Sequence, residues 1–178
     1  TLELGAKEQI IHEFSRGLEG ANGQALVPYI ASLEESGHLG MISELAELRS
    51  KLQLPTSPQY LQLSQAALTK VLDTSVPDST RLQQLTMLEL LPYSEKSTVL
   101  FQCLDNSQPL KLQENALRQL STVDEKEIGE QIVSMWQSLS PQTRRYASDL
   151  LLYIETHHEA LLTGLENGDI NIGEMNFD

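Results

Sequence analysis

Four histidines and one cysteine are the side chains of this sequence best suited to hold a metal ion or to act as a base or nucleophile. His157 and His158 are adjacent, so on a helix their side chains diverge by about 100 degrees and cannot share one metal ion as an i, i+4 pair can. No H-E-x-x-H motif surrounds these two or His12 and His38. We therefore expect all four histidines to lie at solvated helix ends or in loops.

Cys103 lies at helical spacing from Val99 and Leu100 and is followed by Leu104. A cysteine in such an apolar stripe is expected to be buried and unreactive. Because it is the sole cysteine, this segment contains no internal disulfide, no C-x-x-C pair and no C-x-x-C-H haem attachment site.

The C-terminal segment GDINIGEMNFD places Asp169, Asn171 and Gly173 at alternate positions, a spacing faintly similar to that of a calcium-binding loop. Such a loop needs glycine at its sixth position, where this sequence has Glu174, and two positions that are usually polar hold isoleucine. We predict a plain loop here, with Gly168 as the C-cap of the preceding helix.

Enzyme motifs are missing elsewhere in the sequence. It contains no G-x-S-x-G nucleophile elbow, no Walker loop and no G-x-G-x-x-G turn. We predict that the chain is not an enzyme and that it has no catalytic, cofactor-binding or metal-binding residue.

The segment MWQSLSPQTRRYASDLLLY, residues 135 to 153, is rich in Trp, Tyr and Arg, the residue types that dominate binding hot spots. Its spacing favours a structural role. The only tryptophan falls on a helical stripe formed by Ile128, Ile132, Trp136 and Leu139. Its ring is therefore expected to fill a layer between helices.

A new helix should begin at Ser140 and Pro141, with a buried stripe formed by Ala147, Leu150, Leu151 and Ile154. Arg144 and Arg145 would lie in its first turns, where a cation opposes the helix dipole, so a carboxylate partner is expected. We assign a structural role at this junction to five residues, Trp136, Ser140, Pro141, Arg144 and Ala147. The candidate interaction surface consists of Arg145, His157 and His158.

Composition restricts the class of protein. The 178 residues are 40% hydrophobic and contain no apolar run long enough to cross a membrane, so we expect a soluble chain without direct membrane insertion. Twelve Lys and Arg against 25 Asp and Glu give a net charge of -13, which would repel nucleic acid. The chain begins at Thr1, which suggests a processed chain or an excised domain.

Apolar residues recur at helical spacing along nearly the whole chain, which predicts an all-α fold. We expect one domain, with less regular helices over residues 1–55, helix pairs over 56–170 and a tail over 171–178. Ser57-Pro58 and Ser140-Pro141 mark helix starts. Further N-caps are expected at Asp78 or Ser79, Ser94, Asn106 or Ser107 and Thr122, the last forming a capping box with Glu125.

Two segments superpose when Leu82 is aligned with Leu112, namely LQQLTMLEL and LQENALRQL. A further shift of similar length carries Ala116 to Ala147. A two-helix repeat of about 30 residues predicts stacked antiparallel helix pairs, a HEAT or armadillo-like α-α superhelix.

Three motifs of the sequence carry a resemblance to a known family: W-x-x-L-S-P-x-x-R from Trp136, A-x-x-L-L from Ala147 and A-L-L-x-x-L-E-x-G-x-I from Ala160. Together they resemble the HEAT-like helical region of large haem-binding, dehydrogenase-like proteins of planctomycetes, verrucomicrobia and some Bacteroidetes. The resemblance implies a non-catalytic region between a β-propeller and a c-type cytochrome domain of an exported protein. It therefore implies a periplasmic or cell-envelope location and c-type haem in a flanking domain.

Two hypotheses follow. The first is a non-catalytic scaffold or protein-interaction module, whose partner is a flanking domain of the same polypeptide or another protein. The alternative is a helical domain that takes part in redox enzymology and itself holds a metal or haem, with His157 or His158 as the ligand.

Overall fold

The computed structural model describes residues 27–35, 45, 48, 49, 52, 54, 55 and 57–175. This part of the chain is all-α and contains no strand. Its helices are α1 (Val27–Glu35), α2 (Pro58–Lys70), α3 (Asp78–Met87), α4 (Tyr93–Gln102), α5 (Leu110–Leu120), α6 (Lys126–Met135), α7 (Pro141–Tyr153) and α8 (His158–Asn167). None of these helices combines the length and the apolar composition that crossing a membrane would require.

Proline begins or precedes five of the helices. Pro58 and Pro141 are the first residues of α2 and α7, as the Ser-Pro pairs predict, and the Ser140 hydroxyl accepts a hydrogen bond from Thr143 N at 3.1 Å. Pro77, Pro92 and Pro109 are instead the N-caps of α3, α4 and α5. Proline suits the start of a helix because its missing N–H would have no partner there.

The predicted N-caps of α3 to α6 are wrong by one or more residues. Thr122 does not cap α6, since its hydroxyl donates to Gln119 O at 2.8 Å in the turn after α5. Glu125 is the N-cap of α6 and makes no side-chain capping bond, so the predicted capping box does not form. The cause is local competition, because a Thr hydroxyl near a helix end can also bond the carbonyl three residues back.

Helix starts recur at nearly constant spacing along the chain. The helices α3, α5 and α7 begin at Asp78, Leu110 and Pro141, and α4, α6 and α8 begin at Tyr93, Lys126 and His158. The first three pack side by side, with α3 against α5 and α5 against α7, while α8 packs against α6. Residues separated by about this spacing therefore lie close together. Gln119 Nε2 donates to Leu85 O at 2.7 Å, and Thr156 Oγ1 donates to the Asp124 side chain at 2.7 Å.

Buried apolar residues form one continuous cluster from Ile30 to Met175. It contains the small residues Ala67, Ala116 and Ala147, all fully buried. Most positions of the predicted stripes are also in it, whereas Ile154 is only half-buried. Of the less regular helices predicted over residues 1–55, residues 1–26 and 36–44 lie outside the described residues.

A side-chain donor occupies the fourth residue of α3, α5 and α7 and bonds to a backbone carbonyl at the end of the preceding helix or loop. Arg81 Nε donates to Val71 O at 2.8 Å, Gln113 Nε2 to Gln108 O at 2.7 Å and Arg144 Nε to Trp136 O at 3.0 Å. We call Arg81, Gln113 and Arg144 the junction donors. The carbonyl ends of helices are negative, so the two arginines are stabilised by the helix before them although they oppose the dipole of their own.

Helices α6 and α8 approach closely because Gly129 has no side chain. A Cβ added at Gly129 would lie 3.0 Å from His157 Cβ, 3.2 Å from His157 Cα and 3.2 Å from Ala160 Cβ. These are backbone and Cβ atoms, which cannot turn aside as the end of a long side chain can. The crossing of α6 over the start of α8 therefore depends on glycine.

We predict that Gly129→Ala lowers the free energy of unfolding by up to about 2 kcal/mol, because overpacking costs about 1 to 3 kcal/mol and the gain in helix propensity of about 1 kcal/mol offsets part of that cost. Urea denaturation followed by far-ultraviolet circular dichroism measures it. Gly173→Ala is the matched control, because its nearest neighbour, Asn171 Oδ1, lies at an ordinary contact distance of 3.5 Å. A stabilised Gly129→Ala variant would contradict the close approach.

Candidate functional site

Trp136 is fully buried at the end of α6, as its stripe predicts. Its indole Nε1 donates to Glu174 Oε2 at 3.0 Å, and Arg144 lies over the ring at 5.9 Å from the centroid, within reach of a cation–π contact. This hydrogen bond, together with the charge of Arg144, holds the pKa of the Glu174 carboxyl below its usual value. The ring is thus committed to packing and does not face a ligand.

Arg144 has the carboxylate partner predicted for it. Its Nη1 lies 2.8 Å from Glu174 Oε1, and its Nη2 donates to Gln137 O at 3.1 Å. Ser140, Pro141 and the fully buried Ala147 belong to the same junction of α6, α7 and the C-terminal turn. The five residues predicted to be structural therefore lie together, and the contacts found for them are internal.

The candidate surface of Arg145, His157 and His158 is not a single exposed patch. His157 is fully buried, with Nδ1 3.3 Å from Leu150 O and Nε2 3.2 Å from Glu125 O. The prediction of a solvated position for His157 is therefore wrong, because the ring packs inside the fold and its Nε2 meets a carbonyl distant in sequence. His158 is exposed at the start of α8, with Nε2 2.8 Å from Leu152 O, and Arg145 lies on α7.

No group of three or more potential metal ligands occurs among the residues that the structure describes, while His12 and His38 fall outside them.

The C-terminal segment contains one turn of 3-10 helix, Ile172–Glu174, and Gly168 ends α8 with a φ of 79°, as predicted for a C-cap. Asn171 Oδ1 accepts from Gly173 N at 3.0 Å, so the side chain that suggested a calcium loop instead caps this turn.

Cys103 is fully buried at the end of α4, and burial raises the pKa of its thiol to about 12. The thiolate is the reactive form, so the folded protein should be inert to thiol reagents near neutral pH.

We predict that iodoacetamide at pH 8 leaves the native chain unmodified and adds one label in urea, as mass spectrometry would show. A Ser75→Cys variant, exposed in the turn after α2, is the positive control for reagent access. Rapid labelling of Cys103 in the native protein would contradict its burial.

An apolar groove runs between α5 and α7. One hollow of about 470 Å³ is floored by Leu117, Leu150 and Ile154 and flanked by Tyr146 and Tyr153. A second hollow, of about 480 Å³, lies over the turns that follow the two helices. Ser121, Tyr153 and Ile154 line both, so the two form one continuous depression, which we call the α5–α7 groove.

Two large side chains on the groove are exposed to solvent. Tyr153 is 76% exposed and Tyr146 is 40% exposed. Another hollow lies between α4 and α6, and the described residues that line it include no large exposed apolar side chain. The two tyrosines are seven residues apart on α7 and therefore share one face, with their Cα atoms separated by about 10 Å along the helix axis. That spacing was the one signal in the sequence that could have indicated the groove.

Carboxylates surround the groove. Glu114, Asp124, Asp149 and Glu155 line it, and the one cation among its described lining residues, Arg118, forms an ion pair with Glu89. A hydrogen bond to Glu114 raises the pKa of the Tyr146 hydroxyl, and the charge of Arg145 opposes this shift. An apolar floor, two exposed aromatic rings and an acidic rim are features that protein-binding surfaces can have.

Catalysis by general acids and bases would need carboxylates brought together in a cleft that excludes water. The acids of the α5–α7 groove are instead spread over two helices and two turns.

The resemblance to the helical region of haem-binding proteins stays a prediction, because the chain matches no protein-family model, no curated protein and no solved structure.

Proposed function

We propose that this chain is a non-catalytic helical-repeat scaffold that binds a protein partner in the α5–α7 groove. The observation that carries the proposal is the pair of exposed tyrosines, Tyr146 and Tyr153, beside an apolar floor on two packed helices. Exposed aromatic rings next to an apolar depression are typical of protein-binding sites, since they supply contact area at a low cost in side-chain entropy.

The α-α superhelix is part of the same proposal. Its support is the nearly constant spacing between helix starts, the side-by-side packing of α3, α5 and α7, and the junction donors at equivalent positions. In a superhelix each helix pair contacts its neighbours alone, and the surface between pairs is available to a partner. The α5–α7 groove is such a surface.

Peptide selection tests the proposal. A display library of random dodecapeptides is selected against the immobilised protein, and dissociation constants of the enriched peptides are measured by fluorescence anisotropy. We expect Tyr153→Ser to weaken binding by about 30-fold, the effect of losing one hot-spot residue. Leu162→Ser is the matched control, because Leu162 is 59% exposed on α8 and away from the groove. Failure to enrich any peptide sensitive to Tyr146 or Tyr153 would refute the proposal.

The contacts of His157 and His158 weigh against the alternative of a metal or haem ligand on either residue. Both ring nitrogens of His157 lie within hydrogen-bond distance of carbonyl oxygens, and so does Nε2 of His158. A ligand at His157 would have to break the contact with Leu150 O or Glu125 O in a fully buried position. Metal analysis and a visible absorption spectrum of the purified protein test this alternative.

The family resemblance implies that the partner is a flanking domain of the same polypeptide in the cell envelope. The reading frame on both sides of this segment tests that origin. A β-propeller before it and a C-x-x-C-H motif after it would establish the family. Flanking segments of any other kind would contradict membership of this family.

A further inference from the structure

We propose that the occupant of the α5–α7 groove is a cationic protein segment with large apolar anchors, in which Lys or Arg residues flank two or three apolar side chains. This inference rests on the proposed function and names the chemistry of the partner. It follows from the charges of the groove, the character of its floor and the charge of the chain itself.

The charges that line the groove are unbalanced. Glu114 and Asp149 lie on its two walls, and Asp124 and Glu155 lie on the turns at its end. Arg118 offsets little of this charge, because Glu89 lies 2.5 Å from its guanidinium. A partner that fills the apolar floor thus places its flanking residues beside acids, where cations are attracted and anions are repelled.

Tyr146 and Tyr153 are also suited to contact a cationic partner. Both tyrosines line the groove together with the apolar floor and the acids. A Lys or Arg side chain can therefore lay its stem on the floor while its charge lies over a ring face. The distance of about 10 Å between the two tyrosine Cα atoms along α7 corresponds to two helical turns of a partner or to about three extended residues. Anchors spaced over two turns of a partner helix therefore match the groove.

The charge of this chain disfavours the chain itself as the occupant. A second copy has a net charge of -13, so its approach to an acidic groove is repelled. Residues 1–26 contain four acidic residues against Lys7 and Arg16, so this segment of the sequence is acidic too. Nucleic acid is excluded by the same repulsion. A basic segment of another protein, or of another domain, remains.

The peptides selected above provide the test. We expect Lys and Arg to be enriched beside the apolar positions. In synthetic copies of the tightest peptide that keep the apolar residues, replacing Lys and Arg by Gln should weaken binding about tenfold at 50 mM salt, and replacing them by Glu should weaken it further. Raising the salt to 500 mM should remove most of this difference.

Variants of the protein locate the charge effect. The double variant Asp124→Asn, Glu155→Gln should reduce the preference for the basic peptide over its Gln copy by about threefold or more. Asn at position 124 can still accept the hydrogen bond from Thr156, so the turn is preserved. Glu166→Gln on α8 is the matched control, because this exposed acid is outside the groove, and it should leave the preference unchanged.

The outcomes separate this inference from the proposed function. If the basic, Gln and Glu peptides bind with the same affinity and all depend on Tyr153, the groove binds peptides but the proposal of a cationic partner is wrong. If no peptide depends on Tyr146 or Tyr153, both proposals fail. If light scattering shows a dimer that Tyr153→Ser dissociates, the occupant is a second copy, and the cationic partner is likewise refuted.

Discussion

Replacing Trp136 with alanine should lower the free energy of unfolding by about 3 to 5 kcal/mol, the range for a fully buried aromatic side chain. The change empties the space of the largest side chain in the core and removes the hydrogen bond from the indole to Glu174. It also leaves Arg144 without the ring beneath it. Far-ultraviolet circular dichroism in urea measures the loss independently of tryptophan fluorescence.

Trp136→Phe is the companion variant, because it keeps most of the apolar volume but cannot donate a hydrogen bond. We expect it to lose less than half as much stability as Trp136→Ala. Tyr153→Ala, at an exposed position, should change stability by about 0.5 kcal/mol or less. A loss below about 1 kcal/mol for Trp136→Ala would show that the ring is not buried at this junction.

Replacing Arg81 with alanine should cost about 3 kcal/mol, since hydrogen bonds to charged groups contribute about 1.5 to 3 kcal/mol each. Arg81 is 2% exposed, and its Nε donates to Val71 O at 2.8 Å. The rest of the guanidinium contacts Asp78 at 3.3 Å and the side chain of Gln108. One side chain therefore joins the end of α2, the start of α3 and the turn before α5, and its loss leaves a buried carbonyl without its partner.

Arg81→Lys distinguishes geometry from charge. Lysine keeps the positive charge but has no planar fork that can reach three groups at once, so it should recover less than half of the loss. Lys111→Ala, at an exposed position on α5, is the control for removing a cation, and it should change stability by about 0.5 kcal/mol or less. Full recovery by lysine would mean that charge alone matters at the junction.

Helical periodicity predicts the buried positions well because burial along one helix is a local property. Leu100, Cys103 and Leu104 are all fully buried, and so are Ile128 and Ile132 beside Trp136. The repeated Asp-x-Ser-x-Pro pattern of residues 73–77 and 105–109 was also present in the sequence. In both copies the Asp side chain accepts from the Ser backbone and hydroxyl, and the helix begins after the proline.

Contacts between distant parts of the chain could not be predicted in this way. His157 is fully buried and its Nε2 lies 3.2 Å from Glu125 O, far earlier in the sequence, and no local pattern encodes that contact. Nothing in the local sequence around Gly129 indicates that His157 and Ala160 lie against it in the folded chain. The α5–α7 groove depends on how two helices that are not consecutive in the chain lie together, so the sequence indicated the tyrosines but not the depression between them.

The placement of the single tryptophan gives this chain a built-in optical probe of one end. Because Trp136 is held by Glu174 and Arg144, its emission reports on the junction of α6, α7 and the C-terminal turn, whereas circular dichroism averages over all helices. If the helix pairs form the proposed superhelix, in which units contact neighbours alone, the two signals can separate during denaturation. If the tryptophan emission shifts before the ellipticity is lost, unfolding starts at the C-terminal junction. If the ellipticity is lost before the emission shifts, unfolding starts in helices away from that junction.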